Sequence, residues 1–265
     1  MQVSNCLIEE NKSIKGNYWA YQKPSINFVE KIKLSFNLSN IIASIVANRN
    51  IDDNNLDYFL NPTLKNNLPD PSTLKNMDSS IKILLEKIFR NNTLGILGDY
   101  DVDGAASAAC LIRFMRQLGI TPRLYVPNRM TEGYGPTVPA FETLIDDGVG
   151  VIVTVDCGTM AHEALTFAKE HSVDVIVADH HQTGTSLPDC FALVNPRRGD
   201  DLSGLGNLAA VGVTFMLLVG LRRELRNRGY FSLKEEPNLM ALTDLVALGT
   251  VCDVVPLEGL NRALV

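Results

Sequence analysis

Between residues 93 and 194 the chain alternates short apolar runs with amphipathic stretches of helix length. Thr93–Leu97, Arg123–Val126, Val149–Val155, Val173–Ala178 and Phe191–Val194 read as strands. Ala105–Leu118, Val138–Asp146 and Met160–Glu170 carry the helical period. Runs such as VGVIVTV and VDVIV are nearly all apolar and β-branched, as a strand covered on both faces requires. The alternation predicts an α/β fold: a parallel five-stranded sheet flanked by helices. Two longer helical patterns follow Gly206, at Leu208–Arg226 and Pro237–Val251.

The first 92 residues differ. They read as a helical N-terminal lead-in with segments at Leu38–Ala47, Asn54–Leu60 and Thr73–Arg90, separated by the turns Asn61-Pro62 and Pro69-Asp70-Pro71. Asp53, Asn54 and Ser72 are the N-caps expected there. The pattern therefore divides the chain into residues 1–92 and 93–265. It stops at Asn261-Arg262-Ala263-Leu264-Val265 with neither a cap nor a polar tail, so a larger protein cut at a linker is expected.

Composition narrows the class. The 265 residues are 46% hydrophobic with 24 basic and 30 acidic side chains, a net charge of −6, which is ordinary for a globular protein. That balance argues against nucleic-acid binding by bulk positive charge, though not along a local groove. There is no apolar run of membrane-spanning length and no secretory signal pattern, so a soluble, cytoplasmic protein is expected. The five cysteines form no CxxC pair and fit neither a zinc site nor a disulfide framework. Residues 1–92 carry +2 and residues 93–265 carry −8, so the acid excess belongs to the sheet-forming part.

Those acids fall where chemistry is expected in an open parallel sheet, at the carboxyl ends of strands. The first strand runs into Asp99-Tyr100-Asp101-Val102-Asp103, the third into Asp156, and the fourth into Asp179-His180-His181; Asp253 follows the last helical pattern. An alternating Asp-x-Asp-x-Asp on an extended strand end sends its carboxylates to one side. Their repulsion calls for a cation, against the alternative of a solvated turn capping the next helix. Oxygen and imidazole ligands without thiolate suit Mn²⁺ or Mg²⁺. Adjacent histidines point in different directions, so one can ligate metal while the other donates to substrate. A two-metal site of this kind makes a hydroxide nucleophile at neutral pH and offsets charge on a phosphoryl group, so hydrolysis of a phosphate ester or anhydride is the reaction class.

At these residues the chain resembles the DHH phosphoesterase superfamily, named for the triplet found here as Asp179-His180-His181. Within it the chain is most similar to the RecJ family of bacterial single-strand-specific 5′→3′ DNA exonucleases. The resemblance lies in GDYDVDGAAS (98–107), PNRMTEGYGP (127–136), TVDCGT (154–159), ADHHQTG (178–184), VNPRR (194–198), GVTF (212–215) and DLVALGTVCDVVPL (244–257), with FLNPTLKNNLPDPSTLKNMDSSI (59–81) ahead of them. It implies that Asp101 and Asp103 each bind one metal, that Asp156 bridges the two, and that His180 and Asp253 complete the site. His181 would contact the scissile phosphate, and Asp179 would orient a histidine. Asp99 stays open between ligating metal, acting through a water and capping the following helix. Leu97 stands where many superfamily members have a histidine, which would weaken one metal or leave it to be completed by water.

Arg129 and Tyr134, in the Gly-rich loop after the second strand, are candidates to meet phosphate and base. Arg197 and Arg198 could touch a phosphate or be solvated. Arg222, Arg223, Arg226 and Arg228 read as cations favoured near a helix C-terminus. The resemblance further implies single-stranded DNA as substrate, roles in DNA repair and recombination, and single-strand-binding protein and repair helicases as partners. The family's second catalytic-side domain and OB-fold are expected to lie outside this chain, with processive digestion weak or absent. The alternatives are a relative acting on short oligonucleotides, cyclic dinucleotides or pyrophosphate, and a non-catalytic replication scaffold.

Overall fold

The computed structural model describes residues 5–7, 14–17, 20–22, 24–49, 51–90 and 92–265. They fall into two compact units, residues 1–61 and 62–265. In the first, β1 (Asn5–Leu7) pairs antiparallel with β2 (Ala20–Gln22), a strand pair that the helical reading did not anticipate. Helices α1 (Ile26–Phe36), α2 (Asn40–Ala47) and α3 (Leu56–Leu60) follow. They bury Ile32, Ala43, Val46, Ala47 and Leu56 together. Ser39 caps α2 by accepting from the Ile42 N–H at 3.3 Å. Asp53 and Asn54 are not the caps: the carboxylate of Asp52 accepts from the Asn54 N–H (2.9 Å), one residue earlier, because a 3₁₀ turn precedes α3.

The second unit opens with α4 (Leu64–Asn67) and α5 (Met77–Phe89). Ser72 does not cap α5; it lies in a separate 3₁₀ turn capped by Asp70, and Asn76, in a left-handed conformation, starts the helix. The chain then runs β3 (Thr93–Gly98), α6 (Val102–Gln117), β4 (Arg123–Tyr125), α7 (Val138–Asp146), β5 (Val149–Val155), α8 (His162–Glu170), β6 (Asp174–Ala178) and β7 (Ala192–Val194). It ends with α9 (Ala210–Asn227), α10 (Thr243–Cys252) and α11 (Gly259–Leu264). The helical pattern from 237 begins as a 3₁₀ turn, Leu239–Leu242, before α10.

All five strands β3 to β7 are parallel, in the order β4-β3-β5-β6-β7. The expected five-stranded α/β sheet is therefore present. Side chains alternate between its faces: Leu94, Ile96, Val151, Val153, Val155, Ile176 and Ala178 join the core with α5, α6, α9 and α10. Leu97, Ile152, Val175 and Val177 join the core with α7 and α8. This double coverage is why the central strand runs β3, β5 and β6 are nearly all apolar. Because β4 and β5 lie on opposite sides of β3, the strand order reverses there, and the carboxyl ends of β3 and β5 flank the switch point at which open α/β sheets place their sites. Among the described residues no helix is long and apolar enough to cross a membrane.

Candidate metal centre

Parallel pairing carries the register of one strand to the next. Gly98 faces Val155, Val155 faces Ala178, and Ala178 faces Val194, so the residues that follow, Asp99, Asp156 and Asp179, stand in a row. Their own N–H groups extend the ladder by one step: Asp99 to Val155 O (3.2 Å), Asp156 to Ala178 O (3.0 Å) and Asp179 to Val194 O (3.1 Å). Asp156 then leaves the strand with φ of +62°, a left-handed turn that an aspartate tolerates better than most side chains.

The alternating acids of the first loop do not share the extended strand end that the spacing predicts. The strand stops at Gly98 and α6 starts at Val102, three residues before the expected Ala105. Asp101 becomes the N-cap, accepting from the Gly104 N–H at 3.0 Å, and Asp103 sits inside the first turn. Gly104 makes this possible: a Cβ there would lie 2.5 Å from the Asp99 carbonyl oxygen. Capping and clustering, treated as alternatives in the sequence, occur together.

Three acid and imidazole groupings result. Asp99, Asp101 and Asp156 form one; Asp103, His180 and Asp253 form a second; Asp156, His180 and His181 form a third. His180 sits at the junction, with Nε2 3.3 Å from Asp156 Oδ1 and 3.8 Å from Asp103 Oδ2, and Nδ1 3.6 Å from Asp253 Oδ2. Asp253 arrives from the C-terminal end of α10, which comes close because Gly249 packs against Val211 and Asp103. Asp103 is held from behind: its two carboxylate oxygens accept from Ala210 N (2.7 Å) and Val211 N (2.8 Å) at the start of α9. Those N–H groups would otherwise be unsatisfied, since α9 has no side-chain cap.

Whether a cation fits can be tested on the buried polar atoms. Asp99 Oδ1, Asp156 Oδ1 and both ring nitrogens of His180 are buried with no hydrogen-bond partner. Buried polar atoms are ordinarily bonded, and a divalent ion with oxygen and imidazole ligands would satisfy the two carboxylate oxygens and one of the two His180 ring nitrogens. The carboxyl groups report the same field. Burial, followed by the nearby Asp103 and Asp101, pushes Asp156 up to about 10. Burial pushes Asp103 up to about 6 despite the N–H bonds from α9, and it raises Asp99 as well. A bound cation acts in the opposite direction on every one of them.

The two histidines diverge as their adjacency predicts. His180 is buried, whereas the side chain of His181 is 44% exposed. His181 Nδ1 lies 2.7 Å from Asp179 Oδ1, so the carboxylate fixes the ring and raises its pKa. Burial opposes charge on Asp179, but the His181 contact and the Thr159 N–H (3.0 Å) outweigh it and hold this carboxyl well below the usual range. Tyr134 closes the arrangement. Its hydroxyl donates to Asp156 O at 3.1 Å and stands 3.1 and 3.2 Å from the His181 ring nitrogens, with the rings edge to face.

The remaining candidates separate. Arg129 is exposed, its guanidinium 5.2 Å over the Tyr100 ring beside the first acidic loop. Arg197 Nε donates to Gly206 O. Arg198 neither faces a ligand nor is solvated: it is buried, bonded to Leu193 O and paired with Asp200. Arg222 and Arg226 pair with Glu236, Arg223 with Asp70 and Arg228 with Glu224, so named acids occupy this cluster. Leu97 is fully buried in the α7–α8 core and offers no ligand. The support of Asp103 by Ala210 and Val211 was not anticipated. The sequence carries no signal of it, because Asn207 stands where a helix from Leu208 would be capped, whereas α9 starts at Ala210 with no side-chain cap.

Comparison with known proteins agrees with this geometry. The chain is 40% identical over 206 residues to the single-stranded-DNA-specific exonuclease RecJ of Haemophilus influenzae, covering 77% of this chain and 36% of that protein. It is 32% identical over 246 residues to RecJ of Bacillus subtilis, covering 93% of this chain and 30% of the relative. The crystal structure of RecJ from Thermus thermophilus in complex with Mn²⁺ superposes with a TM-score of 0.70 at 29% identity, over 91% of this chain and 33% of that one. The chain thus spans about a third of the length of the relatives it matches. The model of the DHH family, N-terminal domain, matches residues 93–250, from β3 into α10 and so across every strand end that carries an acid of the site. With its family triplet set at the end of the fourth strand, the chain belongs to the DHH family.

Proposed function

We propose that residues 93–265 are the catalytic part of a metal-dependent phosphodiesterase, a 5′→3′ exonuclease on single-stranded DNA that serves repair and recombination in the cytoplasm. The observation that carries the reading is that the buried, unpartnered atoms of Asp99, Asp156 and His180 belong to overlapping clusters of acid and imidazole ligands. Asp101, Asp103, Asp156, His180 and Asp253 are the residues that would hold two Mn²⁺ or Mg²⁺ ions, Asp156 being shared by two of the ligand groupings and Asp99 belonging to one of them. Such ions supply an activated water and offset charge on the phosphoryl group.

The chain's own side chains do the rest. His181, exposed on one side and fixed by Asp179 on the other, presents its ring to the scissile phosphate. Tyr134 holds that ring against the turn after β5, and its half-exposed face is available to a base. Arg129 and Arg197 supply positive charge at the rim. The RecJ relatives, named as single-stranded-DNA-specific exonucleases, support the substrate; the 5′ polarity, and single-strand-binding protein and repair helicases as partners, rest on the motif resemblance and are to be tested.

The test is Mn²⁺-dependent hydrolysis of 5′- and 3′-labelled single strands. Release from the 5′ end is expected, falling by at least about a hundredfold in Asp156→Ala and His181→Ala. Wild-type rates in both variants would refute the site, and preference for a cyclic dinucleotide or pyrophosphate would refute the substrate.

A further inference from the structure

The row of strand-end residues has a fourth member. Just as Asp179 follows Ala178, Asn195 follows Val194, the partner of Ala178 in the sheet. Asn195 is fully buried, and its amide is fully used. Nδ2 donates to Thr159 Oγ1 and to His181 O, both at 2.9 Å, and Oδ1 accepts from Arg197 N at 2.8 Å. The orientation of the amide follows from its partners, because a carbonyl needs a donor and an N–H needs an acceptor.

These bonds continue into the site. Thr159 donates its N–H to Asp179 Oδ2 (3.0 Å), and Asp179 Oδ1 accepts from His181 N (3.2 Å). Asn195, Thr159, Asp179 and His181 thus close a ring that ties the turn after β5 to the DHH segment after β6. Directly in front of it, His180 Nε2 and Asp156 Oδ1 lie 3.3 Å apart without a hydrogen bond between them. Two ligand atoms that do not bond each other keep their spacing only if their backbones are held from behind.

We propose that Asn195 is a positioning residue of the metal centre, locking the His181 carbonyl, one residue past His180, to the turn after Asp156 so that His180 and Asp156 keep the spacing a divalent cation requires. The proposal rests on the metal-dependent reading above.

The test is a Mn²⁺ titration of the whole chain, read by the electron paramagnetic resonance of the free ion and accompanied by thermal melts. Asn195→Ala and Thr159→Val should each weaken Mn²⁺ binding by about tenfold or more. Thr159→Ser, which retains the hydroxyl, should stay near wild type. The double variant should be little weaker than the worse single one, because both changes open the same ring. Leu225→Ala, a core change in α9, should lower the melting temperature and leave the affinity unchanged, separating positioning from general loosening.

Wild-type affinity in both Asn195→Ala and Thr159→Val would overturn the proposal, as would an equal loss in Leu225→Ala. Should Asn195→Ala fail to fold, Thr159→Val against Thr159→Ser decides alone. A wild-type chain that binds no Mn²⁺ takes down the metal reading and this proposal together. A binding wild type with unaffected variants takes down this proposal only.

Discussion

The two ends of the parallel sheet hold acids in opposite ways. At the amino end, Asp174 opens β6 and meets Lys87 of α5 at 2.6 Å, both side chains partly exposed. At the carboxyl end, Asp99 and Asp156 are at most 3% exposed and carry oxygens that no donor reaches. The first end neutralises its acid with a residue of the same chain, and water screens what remains. At the second, carboxyl groups are concentrated in buried positions, and among the described residues no lysine or arginine pairs with Asp99 or Asp156. Stability alone would not select that arrangement, since an uncompensated buried carboxylate is costly. The contrast locates function at the carboxyl end.

The largest expected effect falls on that end. Asp156→Asn should abolish Mn²⁺ binding, lowering affinity by at least about a hundredfold in calorimetry, since the residue joins two of the three ligand groupings. In metal-free buffer the same change should stabilise the protein by about 1–2 kcal/mol in urea unfolding, the trade expected when a functional buried acid is removed. Unchanged binding, or a loss of metal-free stability, would erase the contrast between the two ends.

Metal itself is the next lever. Mn²⁺ at a hundred times its dissociation constant should add about 2.7 kcal/mol. For a unit of this size that raises the melting temperature by roughly 5–10 °C, reversibly with chelator. A shift of the same size with Na⁺ in place of Mn²⁺ would mean that charge screening, not a site, is responsible. The smallest effect belongs to the amino end, where Lys87→Met should change stability by no more than about 1 kcal/mol and leave Mn²⁺ affinity as it was.

Local pattern carried much of this fold. Buried strands such as Val149–Val155 were legible because double coverage leaves them nearly all apolar, Thr154 being the one polar side chain in that run. Asp156, Asp179, His180 and His181 were legible because they follow such strands directly. The first acidic loop was misread for an equally local reason: Asp-x-Asp-x-Asp is compatible with an extended end or with a capped helix. The choice was made by Gly104 lying against the Asp99 backbone, a contact that spacing does not reveal. Ser72 and Asp53 failed as caps because 3₁₀ turns intervene before the helices, moving the capping role to Asp70 and Asp52. The chain also divides into compact units at residue 61, whereas its pattern changes at residue 92, since α5 buries its apolar face in the same core as the sheet.

By itself the sequence determined the layered α/β class, the strand-end acids and the histidine pair, because periodicity and burial act over a few residues. Only the tertiary structure decided that β5 lies beside β3, that four strand ends stop in register, and that α9 and α10 bring the N–H groups of Ala210 and Val211, and Asp253, to the same cluster. A strand's alternation of faces is the same whichever neighbour it takes. The choice of neighbour rests on contacts between residues distant in the chain, and that choice turned separate acids into a single site.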